Sequence, residues 1–149
     1  MSEEDIKFPD VNYGAANKKK YEELKISDWS PFFGKDYWEI FIFSMGYAYA
    51  RGLKPKKVPG TGTMPARVFL PETRHLMRSL AIDHAKKVGK PDPAISVIKN
   101  PKSYVKICEE YAAVGFPEVY KILEKGAGDA KPTENLLAEI IKDVWKERD

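Results

Sequence analysis

The feature that most constrains the fold is residues 36–51, which are hydrophobic on every side when they are placed on a helix. At 100° per residue, Phe41 and Ala48 fall on one face, while Phe43 and Tyr47 fall on the opposite half. A buried strand is the competing interpretation, but the length of the stretch and its alanine-rich end favour a helix. A helix that is apolar all round is usually covered by other elements. The sequence therefore predicts a buried central helix.

Other segments show the 3.6-residue periodicity of helices that bury a single face. Pro71 suits a first helical position, Gly115 suits a helix end, and Pro117 suits a new start. The predicted helices cover residues 17–25, 71–87, 100–114, 117–125 and 133–147. We therefore expect a mainly α, compact helical domain around the buried central helix, with at most a small β-hairpin within residues 58–69.

The chain divides into three predicted parts. Residues 1–17 mix charges with Pro9 and Gly14 without periodicity, which predicts a flexible N-terminal arm. Residues 18–126 form the predicted helical core domain, and residues 127–149 a hinge with a C-terminal amphipathic helix. Within the core, residues 52–67 carry three prolines and three glycines, and loops of this length tend to be functional or disordered.

Length and composition limit the class of protein. A chain of 149 residues fits a single globular domain. Its single cysteine, Cys108, excludes an intrachain disulfide and a cysteine-rich zinc site. The acidic N-terminus has no secretory pattern, and the longest apolar run is too short to span a bilayer. We expect a cytoplasmic protein that does not bind membranes.

The positive charge is concentrated in the middle third of the sequence. Residues 51–102 contain twelve basic and three acidic residues, a net of +9, whereas each flank has a net charge of −3. Such a segment is a candidate surface for binding phosphates. The predicted nucleic-acid-binding residues lie in the loop and on one face of the following helix: Lys54, Lys56, Lys57, Arg67, Arg74, His75, Arg78 and Lys86. The alternative is that the acidic flanks, or an acidic protein partner, neutralise this charge.

Residues typical of catalysis or metal binding do not form a recognisable set. His75 and His84 lie nine residues apart, on opposite faces of one helix, so they cannot bind the same metal ion. Cys108 precedes two acidic residues, which raise the pKa of a thiol, and its spacing marks a core position. The glycines of the loop lack the Gly-Lys-Ser/Thr ending of a nucleotide P-loop. The sequence therefore indicates no catalytic residue, metal or cofactor, although a small enzyme acting on a phosphorylated substrate stays a third alternative.

The C-terminal segment has one apolar stripe that follows the predicted hinge. Leu137, Ile141 and Trp145 belong to this stripe. It either closes the parent domain or docks a second chain, as amphipathic helices do in hydrophobic grooves. The alternative function is therefore a protein–protein adaptor or oligomerisation module.

Three stretches of the sequence resemble a known family: IFIFSMGYAYARGLK, FLPETRHLMRSLAIDHA and YVKICEEYAAVGFPEVYKIL. They are similar to small accessory proteins of DNA phosphorothioation (Dnd-type) systems, and the similarity covers residues 36–125. Leu80-Ala81-Ile82 and the Glu109–Ala112 segment with Gly115 occupy the places of the family's core motifs. The resemblance implies a non-catalytic accessory role in DNA modification or defence and supplies no catalytic residues. With the basic segment, it predicts a nucleic-acid-associated accessory protein.

Overall fold

The computed structural model describes residues 8–89, 92, 95, 97 and 99–128, and the side chains up to residue 125. The fold is mainly helical, as predicted. Its elements are β1 (Val11–Asn12), α1 (Lys18–Ile26), α2 (Tyr37–Ala50), β2 (Thr63–Met64), α3 (Pro71–Lys87) and α4 (Pro101–Gly128), with single 3-10 turns at Ala15–Asn17 and Ala66–Val68. Among the described residues, none of the helices combines the length and hydrophobicity needed to cross a bilayer.

Helix α2 is the predicted central helix. It begins with a capping box, in which the Asp36 side chain accepts from the backbone of Glu39 while the Glu39 side chain accepts from the backbone of Asp36. Ile40, Phe41 and Met45 have no solvent exposure. Helix α4 forms the largest helix–helix interface with α2, and α1 packs against another part of it. One side of α2 is less covered, because Trp38, Ile42 and Phe43 are only half-buried.

Helix α1 is attached to the core through its carboxylates as well as its apolar side. Tyr21 and Leu24 are fully buried. The carboxylate of Glu22 accepts a hydrogen bond from the Tyr37 hydroxyl of α2, and that of Glu23 accepts one from the Tyr120 hydroxyl of α4 at 2.5 Å. These contacts join α1 to both α2 and α4.

Helix α4 corrects the prediction of two helices separated at Gly115. It runs without a break through both Gly115 and Pro117. A Cβ atom at Gly115 would lie 2.2 Å from the carbonyl oxygen of Ser44 and 2.9 Å from the Cβ of Ala48. Gly115 is therefore required by the close approach of α4 to α2 and does not end a helix. Pro117 removes one helical hydrogen bond, but the fully buried Val119 shows that packing continues beyond it.

Residues 8–17 are packed into the fold, which differs from the loosely attached arm that the sequence predicts. Val11 has no solvent exposure and pairs with Met64 in an antiparallel ladder of two strands. Next to this ladder, the Tyr13 N–H donates to the carbonyl oxygen of Gly62 at 2.9 Å. The predicted strand region therefore exists, but its partner is the N-terminal segment and not a second strand within residues 58–69.

Helix α3 begins at Pro71 and ends at Lys87, as the periodicity predicts. Its buried side is formed by Met77, Leu80, Ala81 and Ala85, in which Leu80 and Ala81 follow Met77 by three and four residues and Ala85 follows Ala81 by four. The neighbouring apolar side chain of Leu76 is 49% exposed.

The C-terminal predictions fall largely outside the described residues. Helix α4 extends to Gly128, slightly into the predicted hinge. The apolar stripe with Leu137, Ile141 and Trp145 lies beyond the described residues, so the docking helix and the division into three parts stay predictions.

Candidate nucleic-acid interface

The eight basic residues predicted from the sequence occupy two places in the fold. Four lie between α2 and α3, and these side chains are all exposed: Lys54, Lys56, Lys57 and Arg67. The other four lie on α3, where His75 and Lys86 are exposed and Arg74 and Arg78 are half-buried. Their participation in binding stays a prediction.

Arg74 uses its guanidinium group inside the protein. Its Nε donates to the carbonyl oxygen of Phe69 at 2.7 Å, and its Nη2 donates to the carbonyl oxygen of Ala66 at 2.8 Å. The guanidinium carbon also lies 4.3 Å from the centre of the Phe8 ring. Arg74 therefore holds the turn before α3 and the N-terminal segment together.

We expect Arg74→Lys to lower the free energy of unfolding by about 1–3 kcal/mol, because lysine keeps the charge but cannot make the two-pronged contact. Urea denaturation monitored by circular dichroism measures this change. Arg67→Lys, at an exposed position, is the matched control and should change stability by less than about 0.5 kcal/mol. Equal effects of the two substitutions would contradict the structural role of Arg74.

Most of the remaining basic side chains in residues 51–89 have no acidic partner within the described structure. This segment contains nine Lys and Arg residues but only two acidic residues, Glu72 and Asp83. Asp83 forms an ion pair with Lys87 at 3.6 Å, one helical turn away. Six side chains form no ion pair with any described residue: Lys54, Lys56, Lys57, Arg67, Arg78 and Lys86. The described acidic residues therefore do not neutralise them by direct contact.

Asn12 fixes the shape of the glycine-containing loop before β2. Its side-chain oxygen accepts from the backbone N–H groups of Gly14 and Gly62, both at 3.0 Å, and its side-chain nitrogen donates to the carbonyl oxygen of Gly60 at 3.1 Å. The start of the loop is also attached, because the Lys56 N–H donates to the carbonyl oxygen of Glu110 at 3.1 Å. This loop, predicted to be functional or disordered, is held by hydrogen bonds to the rest of the domain near both of its ends.

A cleft of about 610 Å³ lies between this loop, the N-terminal segment and α4. Of the eight predicted residues, Lys57 is the one that lines it. The charged groups that line the cleft are Lys57, Lys102, Lys106, Asp10, Glu109 and Glu110. The sequence reasoning did not assign Lys102, Lys106 or Glu109 to a site. Their spacing of four and three residues on a predicted helix was the signal that could have identified them.

Glu109 is the most constrained charged group of the cleft. Its Oε2 accepts a hydrogen bond from the backbone N–H of Asn12 at 2.6 Å. Burial raises the pKa of this carboxyl group above its usual value, and the neighbouring Glu110 raises it too, whereas the Asn12 hydrogen bond and Lys106 oppose the shift. The carboxylate is thus held in a fixed position at the edge of the cleft.

The cysteine and the two histidines considered for catalysis or metal binding are not grouped into a site. Cys108 is fully buried, and burial raises the pKa of its thiol well above the usual range, so it is a core residue as predicted. The Nδ1 of His84 lies 2.8 Å from the hydroxyl oxygen of Tyr111, whereas His75 is exposed. Within the described residues, no group of three or more His, Cys, Asp or Glu side chains is arranged to hold a metal ion.

No protein-family model matches the chain, and no curated protein or solved structure is significantly similar to it.

Proposed function

We propose that this protein is a nucleic-acid-associated accessory protein that binds phosphates through the basic loop and the outer face of α3. The observation that supports the proposal most directly is the set of six exposed or half-exposed cations that have no ion pair with a described residue. Counterions or a polyanion must balance this charge in solution, and a polyanion that displaces the counterions gains free energy from their release.

The proposed surface favours affinity over sequence recognition. Lysine ammonium groups on a loop contact phosphates as point charges, and phosphate contacts position a nucleic acid without reading its bases. The resemblance to accessory proteins of phosphorothioation systems makes DNA the first ligand to test and suggests a role in DNA modification or defence. A cytoplasmic location, which the sequence predicts, is part of this proposal. The alternative adaptor function depends on residues outside the described structure.

The test is a fluorescence anisotropy titration of the full chain with labelled duplex DNA, single-stranded DNA and RNA at several salt concentrations. We expect binding at micromolar or lower concentration, with a log–log salt slope of about −3 or steeper. A fourfold glutamine variant should weaken binding by about 10-fold or more and reduce the slope by about one unit for each lost contact. Its substitutions are Lys54→Gln, Lys56→Gln, Arg67→Gln and Lys86→Gln.

A second fourfold variant controls for the loss of net charge. It replaces exposed lysines on other parts of the surface with glutamine, namely Lys18, Lys19, Lys35 and Lys121. This control should retain most of the affinity and the salt slope. No binding at low salt, or equal losses in the two variants, would contradict a localised phosphate-binding surface.

A further inference from the structure

The cleft beside α4 brings together opposite charges that form no direct ion pairs with one another in the described part of the chain. It is lined by three ammonium groups and three carboxylates, whereas the proposed phosphate-binding surface has cations almost alone. None of the three lysines forms an ion pair with a carboxylate in the described part of the chain. The carboxylates would repel a continuous polyanion, so the cleft is not a simple extension of the basic surface.

The charges are separated along the axis of α4. Lys102 and Lys106 are one turn apart, and Glu109 follows three residues later on the same side, so that the row spans about 10 Å. Lys57 enters from the loop on the opposite wall. The accessible apolar wall of the cleft is formed by Val58 and Pro9, whereas Val105 of α4, which lies beneath it, has no solvent exposure. The anionic group of a ligand could therefore contact the two lysines of α4, while a hydrogen-bond donor of the same ligand contacts Glu109 further along the helix. The apolar wall of the cleft lies beside both positions.

The carboxylate of Glu109 is prepared to accept a hydrogen bond from a ligand. Its Oε2 is used by the Asn12 N–H, and its other oxygen has no hydrogen bond to a described residue. A half-buried carboxylate with a fixed orientation favours ligands that donate an N–H group. A ligand without a donor would displace water from the carboxylate oxygen and leave that oxygen without a hydrogen bond, which is unfavourable.

We propose that the cleft binds one phosphorylated nucleoside, with the phosphate between Lys57, Lys102 and Lys106 and an N–H edge of the base on Glu109. The flat base would cover Val58 and Pro9, and the cleft volume is within the range of small-molecule sites. This inference goes beyond the proposed function, because a free nucleotide and the terminal nucleotide of a strand offer the same chemistry.

The test is isothermal titration calorimetry of the full chain with AMP, CMP, GMP, UMP, the matching nucleosides and inorganic phosphate. We expect at least one nucleoside monophosphate to bind saturably at one site, about 10-fold or more tightly than its nucleoside or inorganic phosphate. A thymidine oligonucleotide with and without a 5′-phosphate distinguishes the sources: only the phosphorylated strand should compete if a strand terminus is the natural ligand.

Two variants assign the contacts. Lys102→Gln with Lys106→Gln should weaken nucleotide binding by about 10-fold. Glu109→Gln retains an acceptor for the Asn12 N–H and should weaken nucleotide binding, whereas inorganic phosphate should bind as well as before or more tightly, because a nearby negative charge is removed. Lys18→Gln with Lys19→Gln is the charge-matched control for the double variant and should have no effect.

The two proposals can fail independently. The fourfold variant of the basic loop and α3 retains every residue of the cleft and should bind the nucleotide normally. Monophosphates that bind no better than inorganic phosphate, or full nucleotide affinity in the Lys102 and Lys106 double variant, would overturn the nucleotide site even if duplex DNA binds elsewhere.

Discussion

Gly115→Ala should lower the free energy of unfolding by about 3 kcal/mol, even though alanine is intrinsically better than glycine inside a helix by about 1 kcal/mol. The added Cβ would lie 2.2 Å from the carbonyl oxygen of Ser44, which is backbone and cannot rotate away. Helices α2 and α4 would have to move apart along the largest helix–helix interface of the described fold. Chemical denaturation followed by circular dichroism measures the loss.

Gly46→Ala is the matched control within the partner helix. Gly46 lies inside α2, and a Cβ at this position meets no atom within 4 Å. The same substitution should therefore raise stability here by about 0.5–1 kcal/mol. Opposite signs at the two glycines would identify close packing as the cause. A neutral or stabilising effect of Gly115→Ala would show that α4 does not approach α2 in this way.

Phe69→Ala should lower the free energy of unfolding by about 3–5 kcal/mol, the usual range for a buried phenylalanine. Its ring is 1% exposed and lies between Phe8 and Phe41, with ring centres 5.8 and 6.1 Å away. The cavity would therefore separate the N-terminal segment from the central helix. Urea denaturation measures the global loss, and amide hydrogen exchange at Val11 measures the local one.

The control is Phe33→Ala, which removes the same atoms from a side chain that is 55% exposed. It should change stability by less than about 0.5 kcal/mol and leave the exchange at Val11 unaltered. Phe69→Ala with full protection at Val11 would contradict the packing of residues 8–17 through this ring.

The helical fold could be predicted because local signals and tertiary structure agree for α2 and α3. An apolar surface on every side predicts the central position of α2, and Pro71 marks the start of α3. Gly115 shows the limit of the same reasoning, because glycine is favoured both at helix ends and where two backbones approach closely. Only the position of Ser44 on another helix distinguishes the two.

The sequence predicted the excess of positive charge at the candidate site but not the three-dimensional arrangement of its residues. Composition identified the basic segment, yet Arg74 proved to have two backbone carbonyl partners of its own. The cleft was missed because its walls come from distant parts of the chain. Neither Asn12 nor Glu109 has a local pattern that reveals their hydrogen bond, since 97 residues separate them.

The bonds of Asn12 also have a consequence for the order of events during synthesis. Asn12 leaves the ribosome well before Gly62, whose N–H it binds across 50 residues of sequence. Glu109, the other wall of the cleft, emerges later still. The cleft therefore cannot form while only the N-terminal part of the chain has been synthesised, because the segment with Asn12 needs both Gly62 and Glu109 as partners. Closing such long loops is slow compared with forming a helix. The cleft, and with it the proposed nucleotide site, can form only after most of the domain has been made.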